Sequence, residues 1–470
     1  MPFPKTVWHT QDMKNYNKSL FIFRRDLRLS DNKGLNQALL NSTLVIPCFI
    51  FDPTQVGNKN SYRSMNAIQF MIDSLAEIDE QLKNLNSHLY FFYGSAPNVI
   101  KKLIIEEGID AVFVNRDYTP FSLKRDEEIK KICIEHHCEF ISIHDLLLHE
   151  PEQVLTGSGT PYSIFTAFYK KSVTLPVSPS EKRAGKNFYD KKIAGSHGPE
   201  IFKEIIPRRN SDIWVHGGSK NAESILKSLD NLEDYQKTRD YPELPTSFLS
   251  AHLKFGTVSI RQTYEAIIQK LGKGHPLLRQ LYWRDFFTHV AYHSPFVFGH
   301  AFHEKYDKLP WKNDKKDFEA WCSGKTGFPI VDAGMRQLNA TGWMHNRVRM
   351  IVGSFLTKDL HIDWRWGEQY FARQLVDYDP AVNNGNWQWS ASTGCDAQPY
   401  FRIFNPWLQQ IKFDKECHYI KKWVPELKHT NPRIIHAWYN AKYNEIRDYP
   451  KPIVDHAQES ARSKLMYKNV

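Results

Sequence analysis

The chain has 470 residues, long enough for two or three domains and more than one substantial core. It is 41% hydrophobic with a mean hydropathy of −0.53, and no apolar run approaches the roughly 18–20 residues of a spanning helix, which excludes an α-helical membrane protein. A net charge of +10 permits a polyanionic partner without requiring one, and aromatic residues make up 14%, with 13 tryptophans gathered mostly from Trp283 onward.

Residues 1–18 have no apolar core and no small-residue cleavage pattern, so they read as a disordered leader and not as a secretion signal. The six cysteines are scattered, as in a reducing compartment. The one cluster, "CIEHHC" (Cys133–Cys138), lacks the second ligand pair of a metal site, so ordinary thiols and no metal are expected.

Residues 19–147 alternate strand and helix. Apolar runs at Leu20–Phe23, Thr43–Phe51, His88–Gly94 and Ala111–Asn115 read as buried strands, and Ile68, Met71, Ile72, Leu75, Ile78 and Leu82 mark a helix between them. That order predicts a Rossmann-like α/β domain with a parallel sheet. No glycine-rich phosphate loop follows any strand, and "TGSGTPYS" (Thr156–Ser163) reads as a turn. Residues 148–215, rich in proline, serine and basic clusters, read as an irregular interdomain connector with a solvated basic face. From 216 to 470 helical periodicity dominates, predicting an all-α domain.

Within that helical half four stretches carry chemistry. "TSFLS" (Thr246, Ser247, Phe248, Leu249, Ser250) places hydroxyls at a helix start, suited to capping and also to receiving a phosphate. In "RQLYWRDFF", Gln280, Trp283, Arg284 and Phe287 share a helical face that either receives a flat hydrogen-bonding ring or packs inward. "GWMHNRVRM" brings Trp343, Asn346, Arg347 and Met350 near one side, and Asn346 and Arg349 suit a heteroaromatic or a diphosphate. "VDYDPAVNNGNWQW" adds Asp377 and Asp379 as acceptors and Asn383, which both donates and accepts. Together they fit a large polar aromatic cofactor in a deep cavity. Trp311, Trp364 and Trp387 read either as core residues or as a row able to pass an electron to a buried acceptor.

Nearly the whole chain resembles the photolyase/cryptochrome family. The resemblance rests on "FIFRRDLRLSDN", "GKTGFPIVDAGMRQLNATGWMHNRVRM" and "WGEQYFARQLVDYDPAVNNGNWQWSASTGCDAQPYFRIFNP", and is nearest to class I cyclobutane pyrimidine dimer (CPD) photolyases. It implies an α/β antenna domain (19–147), a linker (148–215) and an all-helical FAD domain (216–470), with light-driven repair of dimers by electron transfer from reduced FAD. FAD would meet Tyr235, Thr246, Ser247, Phe248, Leu249, Ser250, Arg284, Trp343, Asn346, Arg349, Asp377 and Asp379, with Asn383 facing its N5. Trp387, Trp364 and Trp311 would form the photoreduction chain. Gln280, Trp283, Arg347, Met350 and Trp389 would meet a flipped-out dimer in damaged DNA.

Two departures stand out: Gln280 replaces the usual Glu of dimer photolyases, and Leu277 a common Trp. Gln280 also occurs in (6-4) photolyases, but Asn346 and Met350 occupy the places of the histidine pair their acid–base chemistry needs. The chain ends soon after "RDYPKPIVD", which favours repair over a cryptochrome-type photoreceptor with a long tail. "WMHNRVRM" fits a DASH-type cryptochrome poorly. A second antenna chromophore (folate, deazaflavin or flavin) is possible in the first domain. A monomer with no obligate protein partner is expected, in the bacterial cytoplasm and nucleoid or in a eukaryotic nucleus.

Overall fold

The computed structural model describes residues 14–440 and 448–470. Most of the expected leader lies outside those residues. Its end at 18 moves back, however, because β1 runs Tyr16–Ile22, and Asp110 Oδ2 accepts the Asn17 and Lys18 amides at 2.8 and 3.0 Å.

Four more strands follow: β2 (Ser42–Phe51), β3 (Tyr90–Tyr93), β4 (Ala111–Asn115) and β5 (Glu139–Ile143). They form one parallel sheet in the order β3-β2-β1-β4-β5, with Leu20 opposite both Ile46 and Val112. Alternate residues feed the two faces: Leu20 and Ile22 pack with Ile46 and Val112, whereas Phe21 and Phe23 pack with Phe49 and the Met65–Lys83 helix. The sheet is thus buried on both sides, as the near-continuous apolar runs require.

The connector is more ordered than its composition suggests. It contains the helices Phe165–Ser172 and Ile201–Ile205, and Phe188 bridges to Val45 and His197 to Phe91. From Ser219 onward the described residues are helices and turns around two apolar cores. Among the described residues no helix is long and apolar enough to cross a membrane.

The halves are clasped by a buried four-charge box. Arg28 meets Asp145 at 2.6 Å, and Arg261, from the helix Ile260–Leu271, meets Asp145 at 2.6 Å and Asp31 at 3.1 Å. All four are at most 3% exposed.

Candidate active site

The helix Pro380–Ala391 organises the site. Asp379 caps it, Oδ1 accepting from the Ala381 and Val382 amides at 3.0 and 3.2 Å, and Pro380 suits the first helical position. Asn383 and Trp387, one turn apart, are buried, while Trp389 points the other way and is half-buried. Asn384 and Gln388 donate to the Val297 carbonyl at 3.0 and 3.2 Å, fixing the helix's rotation. Gly385 lets it touch the neighbouring helix Pro276–His293: a Cβ there would lie 2.1 Å from Phe287 Cδ1.

Both expected carboxylates are buried and paired with guanidinium groups. Arg25, from the first domain, pairs with Asp379 and with Asp117. Burial pushes the Asp379 carboxyl up, but Arg25 and Arg284 outweigh it and hold it below its ordinary value. Arg349 donates to Asp377 at 3.2 and 3.0 Å and to the Met344 carbonyl at 2.8 Å. Arg284 spans from the Leu146 carbonyl (2.9 Å) to the Leu253 carbonyl (3.3 Å), across both halves.

The capping expected of "TSFLS" is not what the hydroxyls do. Phe248 is itself the N-cap of the helix Leu249–Phe255, in the left-handed region at φ 52°, and no side chain caps it. Its ring lies 5.0 Å from that of Trp343, and Ser247 sits one residue before the cap with Ser250 inside the first turn. Thr246 and Ser247 are half-buried, Ser250 is exposed, and their hydroxyls make no hydrogen bond among the described residues. An uncapped helix start with spare hydroxyls, two half-exposed arginines, two buried carboxylates and a Trp–Phe wall fits an anionic dinucleotide such as FAD. Tyr235 lies in the short helix Tyr235–Thr238, its ring 6.1 Å from His275, and burial raises its phenol.

The tryptophans share a core without forming a stack. Trp387 and Trp364 are buried in one cluster, and Trp311 packs at its edge. No ring contact joins the three among the described residues. Trp387 meets Phe371 at 4.9 Å and Trp321 at 6.2 Å, Arg365 lies 4.9 Å over Trp364, and Trp311 meets Tyr467 at 6.3 Å.

On the open side, Gln280 and Trp283 follow one another along the Pro276–His293 helix. One face of Trp283 is covered by Phe165, stacked at 3.6 Å, and its ring also meets Phe286 at 5.8 Å and Phe287 at 5.6 Å. Gln280 Nε2 reaches only the Pro276 carbonyl, at 3.4 Å. Arg347 pairs with Asp240 at 2.8 Å and lies over Phe413, and exposed Asn346 contacts Met350 Sδ at 3.6 Å. Leu277 is buried.

A family model described as the FAD binding domain of DNA photolyase matches residues 277–469, and one described as DNA photolyase matches 19–182. A deoxyribodipyrimidine photo-lyase of Vibrio cholerae is 38% identical over 473 residues, covering 96% of this chain and 99% of the relative. The chain belongs to the DNA photolyase family. Among solved structures of photolyases, one from Sulfolobus tokodaii, described with two FAD molecules, matches at TM-score 0.88 and 45% identity, covering 96% of this chain and 100% of that one. A Synechocystis cryptochrome matches at TM-score 0.87 and 28% identity, covering 97% and 100%.

The chain has a cavity of about 530 Å³ where the ends of the interior strands β1 and β2 meet the helical half. Arg24, Arg25, Arg63, Arg125 and Lys254 line it against two carboxylates, Asp52 and Asp117. Arg24, Arg63 and Arg125 each keep one buried guanidinium nitrogen without a partner. Burial and repulsion from Arg24 lower the Arg125 guanidinium's affinity for its proton. This wall calls for an anion.

Sequence reasoning did not find Arg25, Glu368 or Trp321. "FIFRRDLR" held the signal for Arg25: two arginines leaving a buried strand need acceptors somewhere.

Proposed function

We propose that the chain splits cyclobutane pyrimidine dimers in DNA under light, with one FAD in its helical half. The observation that carries this reading is the Pro380–Ala391 helix, which holds Asp379, Asn383 and Trp387 on the buried side and presents Trp389 on the open side. Deoxyribodipyrimidine photo-lyases matching this chain along almost its full length support it. FAD held there in its reduced form would supply the light-driven one-electron chemistry that opens the dimer, with the electron returned at the end.

The chain's own residues bind, orient and shield. Thr246, Ser247 and Ser250, with the backbone of Phe248 and Leu249, receive the diphosphate beside Tyr235 and Arg284. Asp377 and Asp379 accept from sugar or ring donors, Trp343, Asn346 and Arg349 complete the walls, and Asn383 meets the flavin N5. Trp387, Trp364 and Trp311 renew the reduced state. Trp283 and Trp389 hold the extruded dimer, Gln280 reads its carbonyls, Met350 touches it, and Arg347 lies towards the DNA. Asn346 and Met350 provide no acid–base pair, which favours the dimer over the (6-4) product.

One chain holds both sites, and damaged DNA is the single macromolecular partner the reaction requires. That substrate places the enzyme with the nucleoid of a bacterium or in a nucleus. The cationic cavity of the first domain takes a phosphate-bearing second chromophore, for which a flavin nucleotide fits. The Sulfolobus tokodaii relative is described with two FAD molecules.

The test is a blue-light assay on duplex DNA containing dimers, with the flavin reduced beforehand. Light-dependent loss of dimers is expected. No loss defeats the proposal, and a light-dependent change in protein association without repair would favour a cryptochrome-type photoreceptor.

A further inference from the structure

Glu368 lies in the helix Trp364–Gln374, 6% exposed, with no cation in hydrogen-bonding contact among the described residues. Asn383 Nδ2 donates to its main-chain carbonyl at 3.2 Å and to its Oε1 at 3.4 Å. Tyr62, from the loop before the Met65–Lys83 helix of the other domain, donates to its Oε2 at 3.3 Å. Tyr62 also lines the N-terminal cavity and lies 6.2 Å from Tyr378 in a stacked arrangement. Arg365, one turn earlier on the same helix, is the nearest positive influence, and Tyr378 is the other titratable group facing the carboxyl. A single carboxyl thus joins the wall of one ligand site to the amide at the other.

We propose that Glu368 is a positioning residue for the flavin site: held between Tyr62 and Asn383, its carboxyl decides which end of the Asn383 amide faces the cofactor, and gain or loss of its proton reverses that choice. The inference rests on the reading that FAD lies against Asn383.

The chemistry follows from donor counting. A charged Glu368 only accepts. It therefore engages Asn383 Nδ2 and leaves Asn383 Oδ1 for the cofactor, where it accepts an N–H. A neutral Glu368 carries a proton of its own and can donate it to Asn383 Oδ1, which turns Nδ2 outward. Burial pushes the Glu368 carboxyl up to about 7, while hydrogen bonds from Asn383 and Tyr62 and the Arg365 charge pull the other way. Both states are therefore populated around neutrality. Removing the Tyr62 hydroxyl deletes a bond to the charged form and moves the changeover to higher pH.

The measurement is the midpoint potential of the bound flavin across pH in the FAD-loaded parent, in Glu368→Gln and in Tyr62→Phe. Titration of the flavin itself is common to all three and cancels in their differences. Parent and Glu368→Gln are expected to agree where the carboxyl is neutral and to diverge above about pH 7, as it ionises. Tyr62→Phe is expected to depart from the parent only in a window just above that point. A gap between parent and Glu368→Gln that is zero or constant at every pH overturns the inference, because a purely structural role gives no pH-dependent gap. Should Glu368→Gln fail to fold or to hold FAD, Tyr62→Phe decides, and a curve superimposed on the parent's overturns the inference. A parent that binds no FAD sinks the proposed function and this inference with it, whereas a loaded parent indifferent to both variants sinks this inference alone.

Discussion

Gly367 lies flat against the indole of Trp387: a Cβ on Gly367 would sit 2.2 Å from Cη2 of that ring and 2.5 Å from Leu356 Cδ2. Neither neighbour is the loose end of a flexible chain, so the helix or the indole has to move. Gly367→Ala is expected to destabilise by about 1–3 kcal/mol, the usual cost of overpacking. It should also slow flavin photoreduction, since the displaced ring is the one nearest the proposed cofactor. Chemical unfolding and a photoreduction time course check the two halves of the prediction.

The Pro380–Ala391 helix separates two roles that single substitutions can divide. Trp387→Phe should abolish photoreduction yet leave repair largely intact once the flavin is reduced chemically. Trp389→Ala should leave photoreduction intact and weaken dimer binding by about 1–3 kcal/mol, the contribution of one aromatic stacking contact. Equal loss of repair in chemically reduced Trp387→Phe and Trp389→Ala would show that the roles are not separable.

Gln280 offers the lesion an amide where most dimer photolyases offer a carboxyl. Its present bond, 3.4 Å to Pro276, is long and does not fix it. Gln280→Glu should raise the dimer repair yield under identical illumination, and a lower yield contradicts the assignment.

The cavity of the first domain is testable by counting flavins. Arg63→Leu and Arg125→Leu each remove a guanidinium with an unpaired buried nitrogen. The parent reconstituted with excess FAD should hold two flavins per chain and the double variant one, by absorption of the denatured supernatant. A parent that saturates at one flavin refutes the second site.

His252 is 1% exposed and burial lowers its imidazole to about 4 from an ordinary 6.5. The folded state therefore holds it neutral, and the unfolded chain binds the extra proton. The stability it contributes is fully present above about pH 6.5 and declines as the pH falls towards about 4, by about 3 kcal/mol in total. His252→Gln, which can keep the 2.8 Å bond to Thr257, should unfold with a flatter pH dependence in that window. Urea titrations at several pH values measure the difference in slope.

The four apolar runs were readable as strands because each is buried on both faces. Strand β5 was not, since "EFISI" lies at the sheet edge with no residue fully buried. The helical half was legible from periodicity alone. At "TSFLS" local chemistry misled: hydroxyls before a helix usually cap it, but here the cap position falls on Phe248, one residue past Ser247, with its ring against Trp343. The partners of Glu368 and Asp379 were out of reach for another reason. Tyr62 and Arg25 stand some three hundred residues away in sequence, and only the folded interface brings them together.

The box of Arg28, Asp31, Asp145 and Arg261 also sets how the molecule can be divided. Its two carboxylates and one guanidinium come from the sheet half, and the other guanidinium from the helical half. A cut between the halves would leave a surplus negative charge on one piece and a lone arginine on the other, both unpaired and newly exposed to water. Replacing Arg261 alone in the intact chain, which leaves its carboxylates buried, typically costs about 3–5 kcal/mol. Grafting one half onto a relative's other half therefore requires Arg261 and its two acceptors to be matched as a set.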